Sequence, residues 1–432
     1  MISSKKLGKK KFAIYGLGTT GRSVINYLNK QKIKDFYSWD DDPKKRNLFS
    51  SKISKNNFSK ILDNVNYIVL SPGINLYKSD FRKVLLKNRY KIITDLDLFY
   101  MENLRQKSIV VTGTNGKSTT CKLIEHVLKK NKVNIQLGGN IGKPILSLNL
   151  KKKTTFIIEA SSYQLAYSKF IKPNQALLLN ISKDHLDWHK NFNNYLNSKM
   201  KIFSLQTKSD FAFLNHHKLI KKFRKKKYKS KLKIVSLKSY KKIKNKINNT
   251  YLQSKVNQEN MSFVYILSKI YKIKDHKFIK SFEGFKGLPH RYEVFFKKKN
   301  IHFINDSKAT SFEASKFALE NNKNIFWIFG GLPKSGDIFK LGKIKKNVIK
   351  SYIIGRNVRY FKKQVQGKID FELSKTINNA LRSISNEIKN YKDEKATILF
   401  SPASASFDQF KNFEERGNKF KKLVKLYANK YF

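Results

Sequence analysis

Two glycine-rich segments, each between an apolar strand-like run and a helical pattern, constrain the fold of this chain most strongly. They are Gly-Leu-Gly-Thr-Thr-Gly at residues 16–21 and Thr-Gly-Thr-Asn-Gly-Lys-Ser-Thr at residues 112–119. Strand, tight turn and helix in alternation are typical of parallel, doubly wound sheets. The alternation starts a third time after residue 290. We therefore predict an α/β protein of three consecutive domains, the first and last of them Rossmann-like. The predicted domains are residues 1–93, 94–287 and 288–432.

Charge is the most unusual feature of the composition. Among 432 residues, 91 Lys plus Arg face 30 Asp plus Glu, which gives a net charge of +61. The lysines are spread along the whole chain without a zinc-finger spacing or an RRM-like aromatic pattern, so we interpret them as a solvated surface and expect no specific nucleic-acid partner. A single cysteine, Cys121, and the lack of a long apolar run predict a soluble, cytoplasmic protein without a membrane span.

The first glycine-rich segment has the Gly-x-Gly-x-x-Gly spacing of dinucleotide-binding folds. Glycines at such a strand–helix turn let the backbone approach a pyrophosphate at the helix N-terminus. Asp40 lies 19 residues beyond Gly21, at the end of the next strand-like run, where a carboxylate accepts a hydrogen bond from a ribose hydroxyl. We predict a nucleotide-diphosphate site here. The alternative is that these glycines serve only strand–helix packing.

The second segment is similar to a P-loop, although Val111 occupies the position where the common spacing has its first glycine. Successive backbone N–H groups in such a turn cradle phosphate oxygens. Lys117 would neutralise the β- and γ-phosphates, and the Ser118 hydroxyl would ligate magnesium. We therefore predict that the central domain is a P-loop-type ATPase.

Two further residues follow strand-like runs of the central domain. Glu159 ends an apolar run and His185 comes shortly after another, so both are expected at the sheet edge that carries the P-loop. A carboxylate and an imidazole there would suit a divalent metal. Taken singly, however, each is more often a cap or a satisfied polar group, and Lys199 is, on its pattern alone, one more surface lysine.

Several longer strings carry a resemblance that covers nearly the whole chain. The P-loop and the string Asn-Ile-Ser-Lys-Asp-His-Leu-Asp resemble the ATP-dependent Mur ligases and the related folylpolyglutamate synthases. Other strings are similar to the D-glutamate-adding branch of the Mur ligases, above all Ser-Pro-Ala-Ser-Ala-Ser-Phe-Asp-Gln-Phe-Lys-Asn-Phe-Glu-Glu-Arg-Gly. The segments that carry this similarity are 139–142, 159–165, 180–187, 287–293, 305–310 and 401–417.

The resemblance implies an ATP-dependent ligase of peptidoglycan precursor synthesis that adds D-glutamate to UDP-N-acetylmuramoyl-L-alanine through an acyl phosphate. It also implies a monomer in which the three domains bind the UDP-sugar, ATP and the amino acid in turn. UDP-sugar binding would fall to Gly16, Gly18, Thr19, Thr20, Gly21, Asp40, Ser71 and Gly73. ATP binding would fall to Gly113, Thr114, Asn115, Gly116, Lys117, Ser118, Thr119, Asn257, Asn260, Arg291 and Asp306. D-Glutamate binding would fall to Lys308, Thr310, Lys334, Ser406 and Phe413.

The same resemblance assigns catalysis to Lys117, Asn140, His185 and Lys199. Lys199 occupies the position of a carbamylated lysine, which with Ser118, Glu159 and His185 would hold two Mg²⁺ ions. Two positions depart from the family pattern. Val256 replaces a histidine beside Asn257, and Leu-Pro occupies the middle of the Gly-Gly-x-x-Lys turn that ends at Lys334.

Other functions fit the sequence less well. A nicotinamide-dependent oxidoreductase would explain the first glycine motif but would leave the P-loop without a role. A nucleic-acid-dependent ATPase would use the lysines, yet no strand ends in the Asp-Glu pair that such enzymes carry, and it would not need the first domain. A non-catalytic binding module would not need the filled catalytic positions. The main rival is a sister ligase, or a folylpolyglutamate synthase, with a different amino-acid acceptor.

Overall fold

In a computed structural model of the chain, the described residues are 7–47, 53–102, 106–150, 152–253, 255–334, 336–339, 342–391 and 395–431. They fall into two compact units that divide between Gly284 and Phe285. Unit one contains two sheets and unit two contains one.

The first sheet of unit one has four parallel strands in the order β2-β1-β3-β4. The strands are β1 (Phe12–Tyr15), β2 (Phe36–Trp39), β3 (Tyr67–Leu70) and β4 (Ile92–Ile93). The surrounding helices are α1 (Thr19–Lys30), α2 (Pro43–Asn47), α3 (Lys55–Asn64) and α4 (Arg82–Lys87), with a 3₁₀ turn at Arg89–Lys91. Strand order reverses between β1 and β3, and such a switch point is where open α/β sheets bind ligands.

The second sheet of unit one has six parallel strands in the order β10-β9-β8-β5-β7-β6. The strands are β5 (Lys107–Thr112), β6 (Ile135–Gly139), β7 (Thr155–Glu159), β8 (Gln175–Leu178), β9 (Phe211–Leu214) and β10 (Lys231–Ile234). The helices are α5 (Asp95–Glu102), α6 (Lys117–Lys130), α7 (Ser162–Tyr167), α8 (Leu186–His189), α9 (Phe192–Met200), α10 (His217–Lys225), α11 (Leu237–Lys244), α12 (Lys255–Ile270) and α13 (Asp275–Ser281). Short 3₁₀ turns lie at Ile145–Ser147, Lys201–Phe203 and Thr250–Gln253. Because β5 lies between β7 and β8, the loops after these three strands meet at one edge.

The two sheets of unit one share a hydrophobic core. Residues of the first sheet such as Ile14 and Val69 belong to the same buried cluster as Val110 and Phe156 of the second sheet and Phe99 of α5. Burial of a continuous apolar surface stabilises both sheets together.

Polar contacts at the connection between these sheets reinforce the shared core. The Thr94 hydroxyl lies 2.8 Å from the Ser168 hydroxyl. The buried Asp97 carboxylate accepts hydrogen bonds from the backbone N–H groups of Lys169 and Phe170. These contacts satisfy buried polar groups that would otherwise oppose folding.

Unit two has a six-stranded sheet in the order β11-β12-β16-β13-β14-β15. The strands are β11 (Glu293–Lys298), β12 (Ile301–Asn305), β13 (Ile325–Gly330), β14 (Val348–Ile354), β15 (Phe371–Lys375) and β16 (Ala396–Phe400). The helices are α14 (Phe312–Glu320), α15 (Val358–Val365), α16 (Ile377–Glu387) and α17 (Phe413–Tyr431), with 3₁₀ turns at Gly342–Asn347 and Ile388–Tyr391. Two buried clusters, one with Phe400 and Phe420 and one with Trp327 and Phe329, give this unit its own core.

The predicted α/β class and its three parallel sheets are confirmed, with one difference in the last sheet. Strand β11 pairs antiparallel with β12, whereas the remaining pairs of that sheet are parallel. Two residues separate β11 from β12, which is enough for a hairpin but too few for a crossover between parallel strands. The domain boundaries at residues 93 and 287 stay predictions.

Candidate active site

The loop from β5 to α6 is a tight turn that depends on glycine. Gly116 has φ of +82°, and a Cβ there would lie 2.3 Å from Oδ1 of Asn260. A larger residue at this position would both strain the backbone and displace that side chain. The ammonium of Lys117 donates hydrogen bonds to the carbonyl oxygens of Gly113 and Thr114, at 3.0 and 2.8 Å. Lys117 thus lies folded over the loop, as a phosphate-binding lysine would.

Side chains from neighbouring elements hold this loop in place. Asn115 N–H donates to Oδ1 of Asn180 at 2.9 Å. The hydroxyl of Thr114 lies 3.0 Å from that of Tyr195 and receives the N–H of Ser182 at the same distance. The Thr114 side chain therefore braces the loop, and the Thr114 N–H also donates to the carbonyl oxygen of Asn180 at 3.1 Å. A nucleotide contact of Thr114 stays a prediction. The loop is preorganised before any ligand binds.

The remaining predicted nucleotide positions of unit one lie close to this loop. Ser118 and Thr119 are buried in the first turn of α6. Asn257 donates from Nδ2 to the carbonyl of Tyr251 at 2.7 Å. Asn260 contacts the loop at Gly116, as described above. The side chain of Val256 lies outside the described residues.

Glu159 ends β7 and is 2% exposed. Its Oε1 accepts a hydrogen bond from Nδ2 of Asn140 at 2.8 Å, whereas its Oε2 has no partner among the described protein atoms. A buried carboxylate oxygen without a donor is costly unless a cation or ligand supplies the interaction. Glu159 ends β7, and Ser118 lies in the first turn of the helix that follows the neighbouring strand β5. A carboxylate and a hydroxyl from these two positions are oxygen ligands of the kind that Mg²⁺ prefers. The residues present therefore fit a magnesium ion.

Lys199 is not the surface residue that its sequence pattern suggests. It lies on α9, is 1% exposed and donates from Nζ to the carbonyl of Gly113 at 2.8 Å. Its ammonium also lies 4.8 Å from the centre of the Tyr195 ring. Burial, and then the positive charge of Lys117, hold the pKa of Lys199 well below its ordinary value, although Asp184 and Glu159 act in the opposite direction. The amine is therefore driven toward its neutral form.

His185 has an unusual backbone conformation, and its ring packs against an aromatic side chain. It precedes α8 with φ of +53°, a left-handed conformation that is uncommon outside glycine. Its Nε2 lies 3.4 Å from Oδ2 of Asp184, and its ring lies 4.9 Å from the ring of Tyr163. Over the part of the chain that the structure describes, no group of three or more His, Cys, Asp or Glu side chains is arranged to hold a metal ion. Any metal site here must therefore include other ligand types, as the set with Ser118 and Lys199 does.

At the switch point of the first sheet, half of the eight predicted residues have packing roles. A Cβ on Gly21 would lie 1.9 Å from the carbonyl oxygen of Gly16, and the Ser71 hydroxyl donates to that same oxygen at 2.7 Å. Asp40 accepts from the N–H of Leu17 at 2.6 Å and from the N–H of Asp42 at 2.9 Å. Asp40 therefore shapes the glycine loop, and its contact with a ribose stays a prediction.

Four other predicted UDP-site residues have no such packing role. A Cβ on Gly18 or Gly73 would meet nothing within 4 Å. Thr19 and Thr20 begin α1, where their backbone N–H groups belong to the first helical turn. A free helix N-terminus beside an open glycine is a favourable place for a phosphate.

In unit two, the loops after β12, β16 and β13 come together because these strands are neighbours. Asp306 accepts hydrogen bonds from the hydroxyl of Ser401 at 2.8 Å and from the N–H of Tyr292 at 3.0 Å. Burial raises the pKa of Asp306 to about 7. The two hydrogen bonds and the positive charge of Arg291 lower this pKa but do not offset the effect of burial. The buried Asp306 and the partly exposed Arg291 thus lie close enough for their charges to interact. Their contact with a nucleotide stays a prediction.

The predicted D-glutamate residues lie on the same three loops. Nζ of Lys308 lies 3.8 Å from the centre of the Phe413 ring. Leu332 and Ala405 exchange backbone hydrogen bonds of 3.0 and 2.9 Å, which brings the turn before Lys334 to the loop that contains the buried Ser406. Thr310 lies two residues beyond Lys308 and is partly exposed.

Family models match two parts of the chain. The Mur ligase middle domain matches residues 111–278, and the N-terminal domain of MurD-like Mur ligases matches residues 10–93. A curated relative from Rickettsia felis, UDP-N-acetylmuramoylalanine–D-glutamate ligase, is 34% identical over 443 residues and covers 97% of this chain and 98% of its own. A relative of the same name from Francisella philomiragia is 32% identical and covers 98% of each chain. The chain belongs to the Mur ligase family, in its MurD-type branch.

Solved structures of other Mur ligases share the fold. The MurC ligase of Thermotoga maritima, a UDP-N-acetylmuramate-alanine ligase, aligns with a TM-score of 0.58 at 16% identity, over 98% of this chain and 100% of its own. The MurF ligase of the same organism, in complex with ADP, aligns with a TM-score of 0.57 at 13% identity, over 99% and 97%. No helix within the described ranges is both long and apolar enough to span a bilayer.

Three residues at these sites of the Mur ligase escaped sequence reasoning. Tyr195 and His189 surround His185 and Lys199, with His189 only 5% exposed. Burial, then the charges of His185 and Lys199, lower the pKa of His189 to about 4. Arg416 is 1% exposed and donates to the carbonyl oxygens of Ser307 and Ser404. In the sequence, Arg416 lies within the family-like string at residues 401–417. His189 and Tyr195 follow shortly after the string at residues 180–187.

Proposed function

We propose that this Mur ligase joins D-glutamate to the alanine carboxyl of UDP-N-acetylmuramoyl-L-alanine, with ATP converted to ADP and phosphate. The observation that carries the proposal is the convergence of Lys117, Lys199 and the half-paired carboxylate of Glu159 at one edge of the second sheet. Such an arrangement suits phosphoryl transfer, in which catalysis is mainly positioning and charge neutralisation. The names of the curated relatives support D-glutamate as the acceptor.

The reaction needs two steps because a free carboxylate has no adequate leaving group. First, a carboxylate oxygen of the alanine attacks the γ-phosphorus of ATP, and the bond from that phosphorus to the bridging oxygen breaks, so ADP leaves. Then the neutral amine of D-glutamate attacks the acyl carbon of the resulting acyl phosphate. Phosphate leaves from the tetrahedral intermediate with the electron pair of the carbon–oxygen bond, and the nitrogen releases one proton to the solvent.

The loop residues 113–119 would bind the triphosphate in this scheme. The N–H groups of Thr114 and Asn115 donate to Asn180, so the phosphates would be bound by other backbone N–H groups of the loop. The ammonium of Lys117 would exchange its present carbonyl partners for β- and γ-oxygens. Asn140 would keep Glu159 in place through the 2.8 Å hydrogen bond. Asn257, Asn260, Arg291 and Asp306 are the further ATP-binding residues of the proposal.

We assign Ser118, Glu159, His185 and Lys199 as the residues that would hold Mg²⁺, two ions in all. When bound, Mg²⁺ supplies positive charge and Lewis acidity at the transferring phosphoryl group. The Oε2 atom of Glu159 supports this assignment. It is buried without a hydrogen-bond partner among the described protein atoms, and a cation would supply the missing interaction.

A carbamate on Lys199 is part of the proposal. The buried amine is driven toward its neutral form, and a neutral amine attacks the carbon of CO₂, forms a C–N bond and releases one proton. The product is an anion, which removes the repulsion between Lys199 and a metal cation. Lys199→Ala should lose activity and regain part of it with a short-chain carboxylate such as acetate. Normal activity of Lys199→Ala without acetate would rule out the carbamate.

The two substrates beside ATP are assigned to separate sites. Residues 1–93 would bind the UDP moiety through the glycine loop, with Gly18, Thr19, Thr20 and Gly73 nearest the diphosphate. Residues 288–432 would bind D-glutamate, whose two carboxylates suit the cations of Lys308 and Lys334. Thr310, Ser406 and Phe413 complete the proposed amino-acid site. We further propose a monomer that works in the cytoplasm, where ATP and sugar nucleotides are available.

One assay tests the function. The protein is incubated with ATP, Mg²⁺ and UDP-N-acetylmuramoyl-L-alanine, and phosphate release is measured with D-glutamate, L-glutamate, L-lysine or meso-diaminopimelate. We expect release with D-glutamate, far above the other three. Equal release with L-glutamate, or preference for another amino acid, would reassign the chain to a sister ligase. Release that needs DNA but no sugar nucleotide would overturn the proposal entirely.

A further inference from the structure

His189 lies at the junction of the two segments that carry His185 and Glu159. It is the last residue of α8, and its Nε2 lies 3.0 Å from the hydroxyl of Ser162. Its backbone carbonyl accepts a hydrogen bond from Nδ2 of Asn194 at 3.0 Å. A buried histidine with both its ring and its backbone engaged is held in one position.

The partner of His189 belongs to the segment that follows Glu159. Ser162 is the first residue of α7, three residues beyond Glu159, and the capping box between Ser161 and Gln164 fixes the start of that helix. The 3.0 Å contact between His189 and Ser162 therefore joins the end of β7, where Glu159 lies, to the segment that carries His185.

A tyrosine ring extends this connection to His185. The Tyr163 ring stacks on His189, with centroids 5.8 Å apart and an angle of 12° between the planes. The same ring lies 4.9 Å from the ring of His185 and 4.9 Å from that of Trp188. His189 thus supports the surface against which the His185 imidazole packs, which matters because His185 is partly exposed and held in a left-handed conformation.

We infer that His189 is a positioning residue, which sets the imidazole of His185 relative to the carboxylate of Glu159 through Ser162 and Tyr163. The inference rests on the proposed function, since it gives these two residues their metal-binding role. Groups that orient metal ligands without touching the metal strongly affect both affinity and activity. Stacking and hydrogen bonding make separate contributions here, so they can be tested separately.

Three variants separate the contributions. His189→Phe keeps a ring on Tyr163 but loses the hydrogen bond, His189→Gln can keep a polar contact to Ser162 but loses the ring, and Ser162→Ala removes the partner hydroxyl alone. Ser268→Ala is the matched control. Ser268 is equally buried and its hydroxyl donates to the carbonyl of Tyr265, far along the chain on α12.

The primary measurement is Mn²⁺ binding to the ATP-bound protein, followed by the free Mn²⁺ signal in electron paramagnetic resonance. We expect His189→Phe and Ser162→Ala each to weaken Mn²⁺ binding by about tenfold, while Ser268→Ala binds like the unaltered protein. The double variant His189→Phe/Ser162→Ala should bind Mn²⁺ no more weakly than the single variant with the lower affinity. The reason is that both substitutions remove the same hydrogen bond. The Mg²⁺ concentration for half-maximal phosphate release should rise in parallel, with the KM for D-glutamate unchanged.

Three results would overturn the inference. These are Mn²⁺ binding by the folded His189→Phe and Ser162→Ala proteins that matches the unaltered one, additive losses in the double variant, or equal losses in Ser268→Ala. If His189→Phe fails to fold, as judged by circular dichroism, Ser162→Ala alone decides the outcome. A failure of the proposed function is distinguishable, because the unaltered protein would then bind Mn²⁺ and ATP but release no phosphate with D-glutamate.

Discussion

Glu159 has one paired and one unpaired carboxylate oxygen, and this asymmetry makes a sharp prediction. In Glu159→Gln the Oε1 atom can still accept from Asn140, but no anionic oxygen is left for a cation. We expect the rate of phosphate release to fall by about a hundredfold. The free energy of unfolding should change by less than about 1 kcal/mol, because no packed group is lost.

Steady-state kinetics and urea unfolding check both halves of this prediction. Asn140→Ala is the comparison, since it removes the donor to Oε1 but leaves the anion, and we expect a smaller loss of activity than in Glu159→Gln. A Glu159→Gln protein that keeps most of its activity would contradict a metal-binding role for this carboxylate.

The glycines of the first loop should respond differently to substitution. Gly18→Ala places its Cβ in open space, so the protein should fold normally. The added methyl would instead obstruct a diphosphate that approaches the backbone, and we expect the KM for the UDP-sugar to rise about tenfold. Gly21→Ala meets the Gly16 carbonyl at 1.9 Å and should cost about 3 kcal/mol of unfolding free energy.

Substrate kinetics and denaturant unfolding separate the two variants. An unchanged KM in Gly18→Ala would place the sugar nucleotide elsewhere. A Gly21→Ala protein as stable as the unaltered one would contradict the packing role.

At the scale of elements, the connection into the second sheet contains a buried acid that makes stability depend on pH. Asp95, the first residue of α5, is 1% exposed and accepts a hydrogen bond from Nε2 of Gln164 at 3.2 Å. Burial raises its pKa from 3.8 to about 6. Between these values the folded chain keeps a proton that the unfolded chain releases, so this carboxyl lowers stability as pH rises from about 4 to about 6.

Asp95→Asn removes that dependence. Relative to the unaltered protein, the variant should gain unfolding free energy as pH rises from 4.5 to 7, by about 2 kcal/mol. Urea unfolding at several pH values measures this difference. Asp97→Asn is the comparison, because Asp97 is also buried but its two oxygens accept three backbone hydrogen bonds. An amide nitrogen at either position cannot accept, so this change should destabilise the protein at every pH. A difference for Asp95→Asn that does not change with pH would contradict the assignment.

Sequence patterns predicted the elements near the site better than those at the sheet edges. Buried central strands such as Tyr67–Leu70 are continuous apolar runs. The glycines of the two loops predict the turns that follow β1 and β5. Edge strand β10 reads Lys-Leu-Lys-Ile and carries exposed lysines, so its pattern does not differ from that of a loop. Strand order is also invisible in sequence, because it depends on which apolar faces pack together.

The site residues divide in the same way. Lys117 and Glu159 are predictable because a local motif and a strand end place them. The burial of Lys199 and His189 arises from contacts with loops more than 20 residues away in sequence, such as Gly113 and Ser162. No local periodicity carries that information. Only the family resemblance indicated Lys199, and for His189 the only signal was its position next to the family-like string at residues 180–187.

At the scale of the whole molecule, the charge of +61 should oppose folding through self-repulsion. Raising NaCl from 50 to 500 mM screens this repulsion, and we expect the melting temperature to rise by on the order of 3 °C. A variant with Lys225→Glu, Lys229→Glu and Lys241→Glu, all exposed, should melt higher at 50 mM NaCl and respond less to salt.

Differential scanning calorimetry of both proteins tests the argument. Replacing the same three lysines by arginine is the control, because it keeps the charge. A glutamate variant with the salt response of the arginine variant would show that the lysines do not repel one another appreciably.

The core shared by the two sheets of unit one has a practical consequence for dividing the molecule. A fragment ending at residue 93 would leave Ile14, Val69 and their neighbours facing water on one side, and it should aggregate when produced alone. A fragment ending at Gly284 keeps that face covered. Protease nicking and separate expression should therefore succeed near 284 and fail near 93. Genetic dissection of this ligase should yield two folded pieces, although its sequence pattern indicates three domains.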